Sequence, residues 1–400
     1  MSYLSQSTGA AERLRLESLI CRNFRVYEYF ERAAIGPLTI FEGPNAVGKT
    51  SLLEAIQLMT ALESFRTNRA NQLVRWGEET AQVKIHLSGA HRMLDEELVI
   101  DGGKKTYKLN GKRKGAGSLA GLLPAVTFTP DDLQMVKGAP GVRRKAIDSL
   151  GVQVSKNYYA VRNDYAKLLK QKNQALKDEM PDAFIESIDD VLIRVGIQVL
   201  QHRMYLIGCL MPVFKEFYLT ITGGAEEASL IYVPCWLHHE KLSGGGYLFD
   251  KDQARCDFES YLKSHKTAER VHHRALVGPH VDSVSFLLDG HDASAFASQG
   301  QQRSLVLAYK LAESVVVREI TGQQPILLLD DVMSELDEQR RSYFMEFIED
   351  DIQTFITTTN LSYFTKEVLC RGDVIHLEKR NNDVSRETSI GKGGYDATSE

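Results

Sequence analysis

GPNAVGKT, residues 43–50, lies between the apolar stretch PLTIF (37–41) and SLLEAIQLM (51–59). Small residues let backbone N–H groups curl around a phosphate, and a helix starting directly after the loop adds its positive end. Gly43-x4-Gly48-Lys49-Thr50 is a complete P-loop pattern in the required context of strand before and amphipathic helix after. Gly43, Pro44, Asn45, Ala46, Val47, Gly48, Lys49, Thr50 and Ser51 are expected to wrap ATP. Lys49 should reach the β- and γ-phosphates, and the Thr50 hydroxyl should sit on Mg²⁺. The fold class this implies is α/β.

A P-loop needs a carboxylate from a neighbouring strand. PILLLDD (325–331) supplies it, because Ile326 to Leu329 is an unbroken apolar run, as a strand buried on both faces should be. Asp330 is placed to hold Mg²⁺. Asp331 is the candidate to orient or deprotonate an attacking water, so Lys49, Asp330 and Asp331 form the expected catalytic set. ASQGQQ (297–302) precedes a long helix and offers Ser298 as its cap and Gly300 for close backbone approach. SELD (334–337) follows the acidic strand directly.

The rest of the chain frames this chemistry. Its 400 residues suffice for two or three domains, and 43% hydrophobic with 25% charged residues is ordinary for a globular protein. No uninterrupted apolar run approaches the roughly 18 residues that span a bilayer. The start, MSYLSQSTGAAERLRLES, lacks the apolar core of a secretion signal, so a cytoplasmic location without membrane is expected. Five scattered cysteines signal neither a disulfide framework nor a zinc site.

Strand and helix signals alternate over the first hundred or so residues, and again after about residue 270. Between them, from about 143 to 220, the pattern is helical. Ile185, Ile188, Leu192, Val195, Val199, His202, Leu206, Cys209 and Val213 fall at alternating spacings of three and four, one seam of a helix packed on a partner. With Val161, Tyr165 and Leu168 before it and EMPD (179–182) as a turn, two antiparallel helices form a short arm. His202 reads as a core histidine. The expected organisation is a split head (1–125 and 269–385), an inserted helical lobe (126–268) and a disordered tail (386–400). LSGGGYLF (242–249) is expected to be a flexible connection.

Formal net charge is −5, so any contact with nucleic acid requires local segregation of charge. KKTYKLNGKRK (104–114) carries Lys104, Lys105, Lys108, Lys112, Arg113 and Lys114 around Asn110-Gly111, a type I′ hairpin signal. Arg66, Arg69 and Arg75 lie beside two aromatics, and Arg143, Arg144 and Lys145 make a third cluster that could equally be structural.

Taken together, NFRVYE (23–28), FEGPNAVGKTSLLEAI (41–56), SFRTNRANQLVRWG (64–77), TFTPDDL (127–133), GVRRKAID (141–148), VGPHVD (277–282), ASQGQ (297–301) and LLLDDVMSELDEQRR (327–341) resemble the RecF family. These are bacterial DNA replication and repair proteins, cousins of the SMC and ABC-type ATPases. The resemblance implies an ATPase head with a short coiled-coil-like second lobe, dimerising when ATP is held between the P-loop of one subunit and Ser298, Gly300 and Gln301 of the other. It implies DNA binding (single-stranded, duplex and junctions), assistance to RecO and RecR in loading RecA, and roles in gap repair, DNA replication and the SOS response. Asp337 matches the D-loop. Arg25 lies where SMC-like heads use a basic residue near the nucleotide. The acidic strand ends Asp-Asp where transporter heads have Asp-Glu, which predicts slow, timer-like hydrolysis. No glutamine is evident near LPAVTFTPDDL, and Thr358, Thr359 or Asn360 stands where a switch histidine is expected. The competing reading, an ABC transporter ATPase subunit, fits poorly with the long insertion between Lys49 and Ser298.

Overall fold

The computed structural model describes residues 13–237, 249–348, 352–378 and 387–389. The glycines of LSGGGYLF lie outside the described residues, as does the expected disordered tail apart from Glu387–Ser389, which pair with Asp373–Leu377 as a short strand. The chain forms two compact units. One draws on the chain up to Pro130 and from Val317 onward, the other on Asp131–Val316.

Unit 1 contains two six-stranded sheets. The first, antiparallel, is built from β1 (Arg15–Phe24), β2 (Tyr27–Arg32), β4 (Thr80–Ser88), β5 (Met93–Asp101), β6 (Lys104–Leu109) and β7 (Lys112–Lys114), in the order β2-β1-β4-β5-β6-β7. The stretch read as one strand, RLESLICRNFRVYE, is two: positive φ at Asn23 and Arg25 folds it into a hairpin. Asn110-Gly111 takes φ of 50° and 75° and closes β6 on β7, as the dipeptide predicts.

The second sheet holds β3 (Leu38–Glu42), β8 (Ala125–Phe128), β12 (Ile326–Asp330), β13 (Thr354–Thr358), β14 (Asp373–Leu377) and β15 (Glu387–Ser389), ordered β15-β14-β3-β13-β12-β8. Its five central strands run parallel, and every residue of β12 and β13 is buried. Helix α1 (Lys49–Thr60) touches strands of both sheets and buries nearly its whole circumference. Its polar Glu54 and Gln57 are buried with the rest, so the amphipathic pattern of the sequence does not mark a solvent face here. The two sequence-distant parts of the unit are sewn together by glutamines. Gln353 exchanges two hydrogen bonds of 2.8 Å with the backbone of Leu16, and Gln323 does the same with Leu14 at 3.2 Å. The short α2 (Ala116–Leu119), together with α10 (Glu338–Phe347) and α11 (Lys366–Arg371), completes unit 1.

Unit 2 contains α3 (Gln134–Lys137), α4 (Pro140–Val154), α5 (Lys156–Lys177), α6 (Asp182–Thr222), α7 (Lys251–His272) and α8 (Ala293–Phe296), with a small antiparallel sheet of β9 (Ala228–Val233), β10 (Ser283–Leu288) and β11 (His291–Asp292). Helix α9 (Gln299–Thr321) begins in this unit and ends in unit 1. Segment 269–316, expected with the head, falls in unit 2 because β10 pairs with β9 and α8 packs on β10.

Helices α5 and α6 form the expected hairpin around Met180-Pro181, but the seam is wider than a coiled-coil stripe. Val195, His202, Cys209 and Val213 are only half-buried, while Ile193, Ile197, Leu200, Arg203, Ile207 and Leu210 are buried, since α6 packs on α7 and β9 as well as on α5. By length and composition alone α6 could cross a membrane. Its charged Arg203 is buried in unit 2 with Leu192, Leu200, Leu206 and Leu210, while Phe184, Tyr205 and Leu219 are exposed and 33% of its most apolar window is buried.

Candidate active site

Parallel strands bring their C-terminal ends to one edge of a sheet, and at this edge stand the P-loop after β3, Asp330 ending β12, and Thr357 and Thr358 ending β13. Two glycines are obligatory here. Gly43 has φ 155°, and a Cβ on it would stand 2.3 Å from the Leu377 carbonyl oxygen. Gly48 has φ 109°, and a Cβ there would meet Val26 and the Tyr27 hydroxyl at 2.7 Å. Ala46 also takes positive φ, 64°, so the loop turns its backbone inward. Pro44, Asn45 and Ala46 are exposed, Val47 and Ser51 are buried, and the Ser51 N–H closes on the Gly48 carbonyl at 2.9 Å.

The Lys49 ammonium donates to the Gly43 carbonyl at 2.5 Å and the Pro44 carbonyl at 2.9 Å, inside the curl of the loop. Burial pushes its pKa down, while Asp331, Glu42 and Asp330 pull it back up. Across the site the Thr50 hydroxyl donates to Asp330 Oδ1 at 2.7 Å, and Thr357 donates to the same oxygen at 2.8 Å. Thr357 Oγ1 in turn accepts from the Asp331 N–H at 2.9 Å. Asp331 takes φ 53°, a conformation aspartate tolerates better than most residues. Its Oδ1 is buried without a hydrogen-bond partner, and desolvation raises its pKa, countered by Lys49.

Leaving a buried carboxylate oxygen unsatisfied costs free energy, so this arrangement is incomplete by itself. The donor set fits ATP and Mg²⁺. Among the described residues no cluster of three or more His, Cys, Asp or Glu could hold a metal alone. Magnesium asks for no such cage, since it takes one or two carboxylates and fills its shell with phosphate and water.

Thr357 was missed in the sequence, where only Thr358, Thr359 and Asn360 were considered for the vacant switch position. Thr358 is buried and bonds to the Asn360 backbone, and Asn360 caps the next turn through Ser362. Arg25 is committed elsewhere. It makes a bidentate pair with the fully buried Glu54 of α1 at 2.8 and 2.6 Å, and Glu54 also accepts from Ser64 and stands 3.7 Å from Arg66. Gln57 of α1 reaches Thr127 on β8 at 3.1 Å.

In unit 2, Ser298 and Gln301 form a reciprocal cap at the start of α9. The Gln301 N–H donates to Ser298 Oγ at 3.2 Å, and the Ser298 N–H donates to Gln301 Oε1 at 2.7 Å. Gln301 also donates to Glu226 at 2.5 Å, while Ser298 stays exposed and Gly300 half-buried. Asp337 caps α10 in unit 1 by accepting from the Arg340 N–H at 2.9 Å.

The basic clusters separate by partner. Arg143 is buried and donates to the carbonyls of Met135, Val136, Gly138 and Val284, and Arg144 donates to the Asp282 carbonyl. Both are structural, and only Lys145 of that trio is exposed. Lys104, Lys112, Arg113 and Lys114 of the hairpin are exposed, Lys105 is half-buried, and Lys108 pairs with Glu97 at 3.2 Å. Arg66 and Arg69 are exposed, whereas Arg75 lies 3.7 Å from Glu28. His202 touches Asn157 and the Tyr158 ring, consistent with a core-edge histidine.

GPHVD, whose role the sequence leaves open, is a brace. Asp282 is fully buried, accepting from Tyr232 and from the Cys235 N–H. Arg203 donates to the Pro279 carbonyl at 2.6 Å and pairs bidentately with Asp148 at 2.8 and 2.9 Å. His280 is bonded at both ring nitrogens, to the Tyr165 hydroxyl and the Ala275 carbonyl.

The model of the RecF/RecN/SMC N terminal domain matches residues 15–384. The DNA replication and repair protein RecF of Gloeobacter violaceus is 34% identical over 371 residues, covering 91% of this chain and 97% of that one. Its namesake in Streptococcus pneumoniae (strain CGSP14) is 36% identical over 357 residues, covering 87% and 93%. The solved structure of the recombination mediator protein RecF-ATP in the RecFOR pathway superposes with a TM-score of 0.84 at 28% identity, covering 96% of this chain and all of that one. An Smc head at 14% identity and a TM-score of 0.52 shares the fold alone. A family model spanning nearly the whole chain, relatives above 30% identity along most of it, and a P-loop head with its acidic strand in place lead to one conclusion: the chain belongs to the RecF family.

Proposed function

We propose that the protein is an ATP-gated DNA-binding dimer whose slow, DNA-stimulated hydrolysis acts as a timer. Its setting is the cytoplasm, in replication-linked gap repair and the SOS response, where it assists RecO and RecR in loading RecA at single-strand/double-strand junctions. The observation that carries this reading is the open cluster at the strand ends: Lys49 inside the loop, Thr50 and Thr357 on one oxygen of Asp330, and a buried, unsatisfied oxygen on Asp331.

Mg²⁺, when bound, would supply charge neutralisation to the phosphates. Lys49 exchanges loop carbonyls for phosphate oxygens. Thr50 and Asp330 are the residues that would hold the metal. Asp331, raised in pKa and uncommitted at Oδ1, orients a water and takes its proton. The short Asp331 side chain makes this step slow. Exposed Ser298 at the tip of α9 offers its hydroxyl and the helix's positive end to the nucleotide of a second copy.

DNA meets exposed Lys104, Lys112 and Arg113 with Arg66 and Arg69. About three phosphate contacts per subunit give the dimer roughly six, so log K should fall against log salt with slope near −5. Sizing the protein with and without ATP·Mg²⁺ and duplex DNA tests the whole reading. The expected result is dimerisation that needs ATP, strengthens with DNA, and is absent in Lys49→Met. A Lys49→Met protein that dimerises normally refutes the gating. Reversal of Lys104, Lys112 and Arg113 to glutamate should weaken duplex binding whatever its sequence.

A further inference from the structure

Trp76 is 99% exposed, which is unusual for the largest apolar side chain. It does not sit on a loose loop. It occupies the second position of the turn Arg75–Glu78, closed by the Glu78 N–H on the Arg75 carbonyl at 3.1 Å, with Gly77 at φ 88° as such a turn requires. The strand leading into the turn is pinned to the β1–β2 hairpin. Arg75 N–H donates to the Asn23 carbonyl and Arg25 N–H to the Leu73 carbonyl, both at 2.8 Å, and Phe24 bridges Val74. Asn23 also holds the Glu78 carboxylate at 3.0 Å. An indole is thus presented to solvent by a rigid mount.

The surroundings say what it meets. The 3-10 turn Ala70–Leu73, between Arg69 and Trp76, touches β5 and β6, so the arginine segment and the lysine hairpin share one part of unit 1. Those cations suit phosphates. The residues next to Trp76 in sequence do not: Glu78 and Glu79 repel a phosphate, and Arg75 lies 3.7 Å from Glu28. An indole beside acids and next to a cationic surface favours the neutral face of a base over the backbone.

We infer that Trp76 stacks on an unpaired or end-exposed base while the adjacent Arg/Lys surface holds the phosphates, so that the protein selects DNA with interrupted pairing over continuous duplex. This rests on the DNA-binding reading above, junctions included, and adds the side chain that recognises the interruption. Stacking on a protein aromatic is tolerant of base identity, because every base has a π-face, so the selection is for structure and not sequence.

The test uses the full chain with ATP·Mg²⁺ and two probes, a relaxed covalently closed duplex circle and the same circle carrying a single-strand gap. The protein has two tryptophans, and Trp236 is stacked on Phe258, so Trp236→Phe leaves Trp76 as the sole indole reporter. The gapped circle should quench its fluorescence, and the closed circle should not. Trp76→Ala should lose about tenfold or more in affinity for the gapped circle and nothing for the closed one, with Trp76→Phe retaining most of the preference. Equal affinity of wild type and Trp76→Ala for the gapped circle, or equal losses on both circles, overturns the inference and leaves the DNA-binding reading standing. Failure of the wild type to bind either circle removes the DNA-binding reading itself.

Discussion

Each unit sets a pair of aspartates near a cation, and the two pairs are finished differently. In unit 2, Asp148 takes both arms of Arg203, and Asp282 is filled by Tyr232 and a backbone N–H. In unit 1, Asp330 holds two hydroxyls on one oxygen, Lys49 rests on loop carbonyls, and Asp331 keeps a buried oxygen with no partner. Similar residue types therefore serve opposite ends. A network with every polar group satisfied fixes a shape, whereas one left short of partners is poised for a ligand. Satisfaction, and not charge or burial, separates the brace from the site.

The strongest way to break this contrast is to substitute one aspartate from each network. Asp331→Asn should cut ATP hydrolysis by about 10²-fold or more in a steady-state phosphate-release assay, and prolong the ATP-bound dimer. It should not unfold the protein. Desolvation raises the Asp331 pKa, so its charge opposes folding at neutral pH, and the ligand-free melting temperature should hold or rise. Arg203→Met should do the reverse. It leaves buried Asp148 with the Tyr158 hydroxyl and Arg162 at 3.9 Å as its remaining partners, at a cost of about 3 kcal/mol, read as a melting temperature lower by roughly 5–10 °C. An Asp331→Asn protein that melts well below wild type would erase the distinction.

The site is more legible in the sequence than the brace, for a physical reason. A P-loop is local, since eight consecutive residues carry its geometry, and an apolar strand ending in acids is local too. Thr357 could be found only by knowing that β13 lies between β3 and β12, because its hydroxyl matters through two residues more than twenty positions away. The brace has no local signature, because Asp148, Arg203 and Pro279 meet only after α4, α6 and the loop before β10 have packed. Whether Arg143 and Arg144, two of a cluster of three, are patch or structure stays open in the sequence for the same reason: their acceptors are backbone carbonyls, which leave no trace in composition. The heptad seam in α6 was too narrow because a sequence stripe records one partner, and this helix has several.

The pH responses of the two units sharpen the comparison with a smaller effect. Glu96 on β5 in unit 1 is buried with Oε1 unpartnered, and desolvation raises its pKa to about 8. A carboxyl raised in the folded state contributes stability that is complete below its unfolded value and lost as pH rises through about 8. Unit 1 should therefore soften at alkaline pH. Glu96→Gln should remove that sensitivity, with melting curves at pH 9 shifted up by several degrees and those at pH 5 nearly unmoved.

In unit 2 the contribution of His280 has the opposite sign, set against the raised carboxyl of Asp282 in the same brace. Burial holds the His280 pKa down at about 4, with nearby Arg144, Lys172 and Arg203 adding repulsion to any proton it gained. Both ring nitrogens are already engaged. The ring keeps its one proton on the nitrogen facing the Ala275 carbonyl and accepts from the Tyr165 hydroxyl at the other. A second proton would turn that acceptor into a donor, and the Tyr165 hydroxyl would have to give up its own hydrogen bond to accept from it. A histidine depressed in the folded state contributes stability that is complete above its unfolded pKa near 6.5 and lost as pH falls toward 4. The brace should thus loosen first in acid, seen as faster amide exchange around residues 275–282 at pH 5 than at pH 7 once intrinsic rates are divided out. Exchange there that ignores pH while Glu96→Gln behaves as expected would mean that the brace holds without its histidine, and that Asp282 and Arg203 alone carry it.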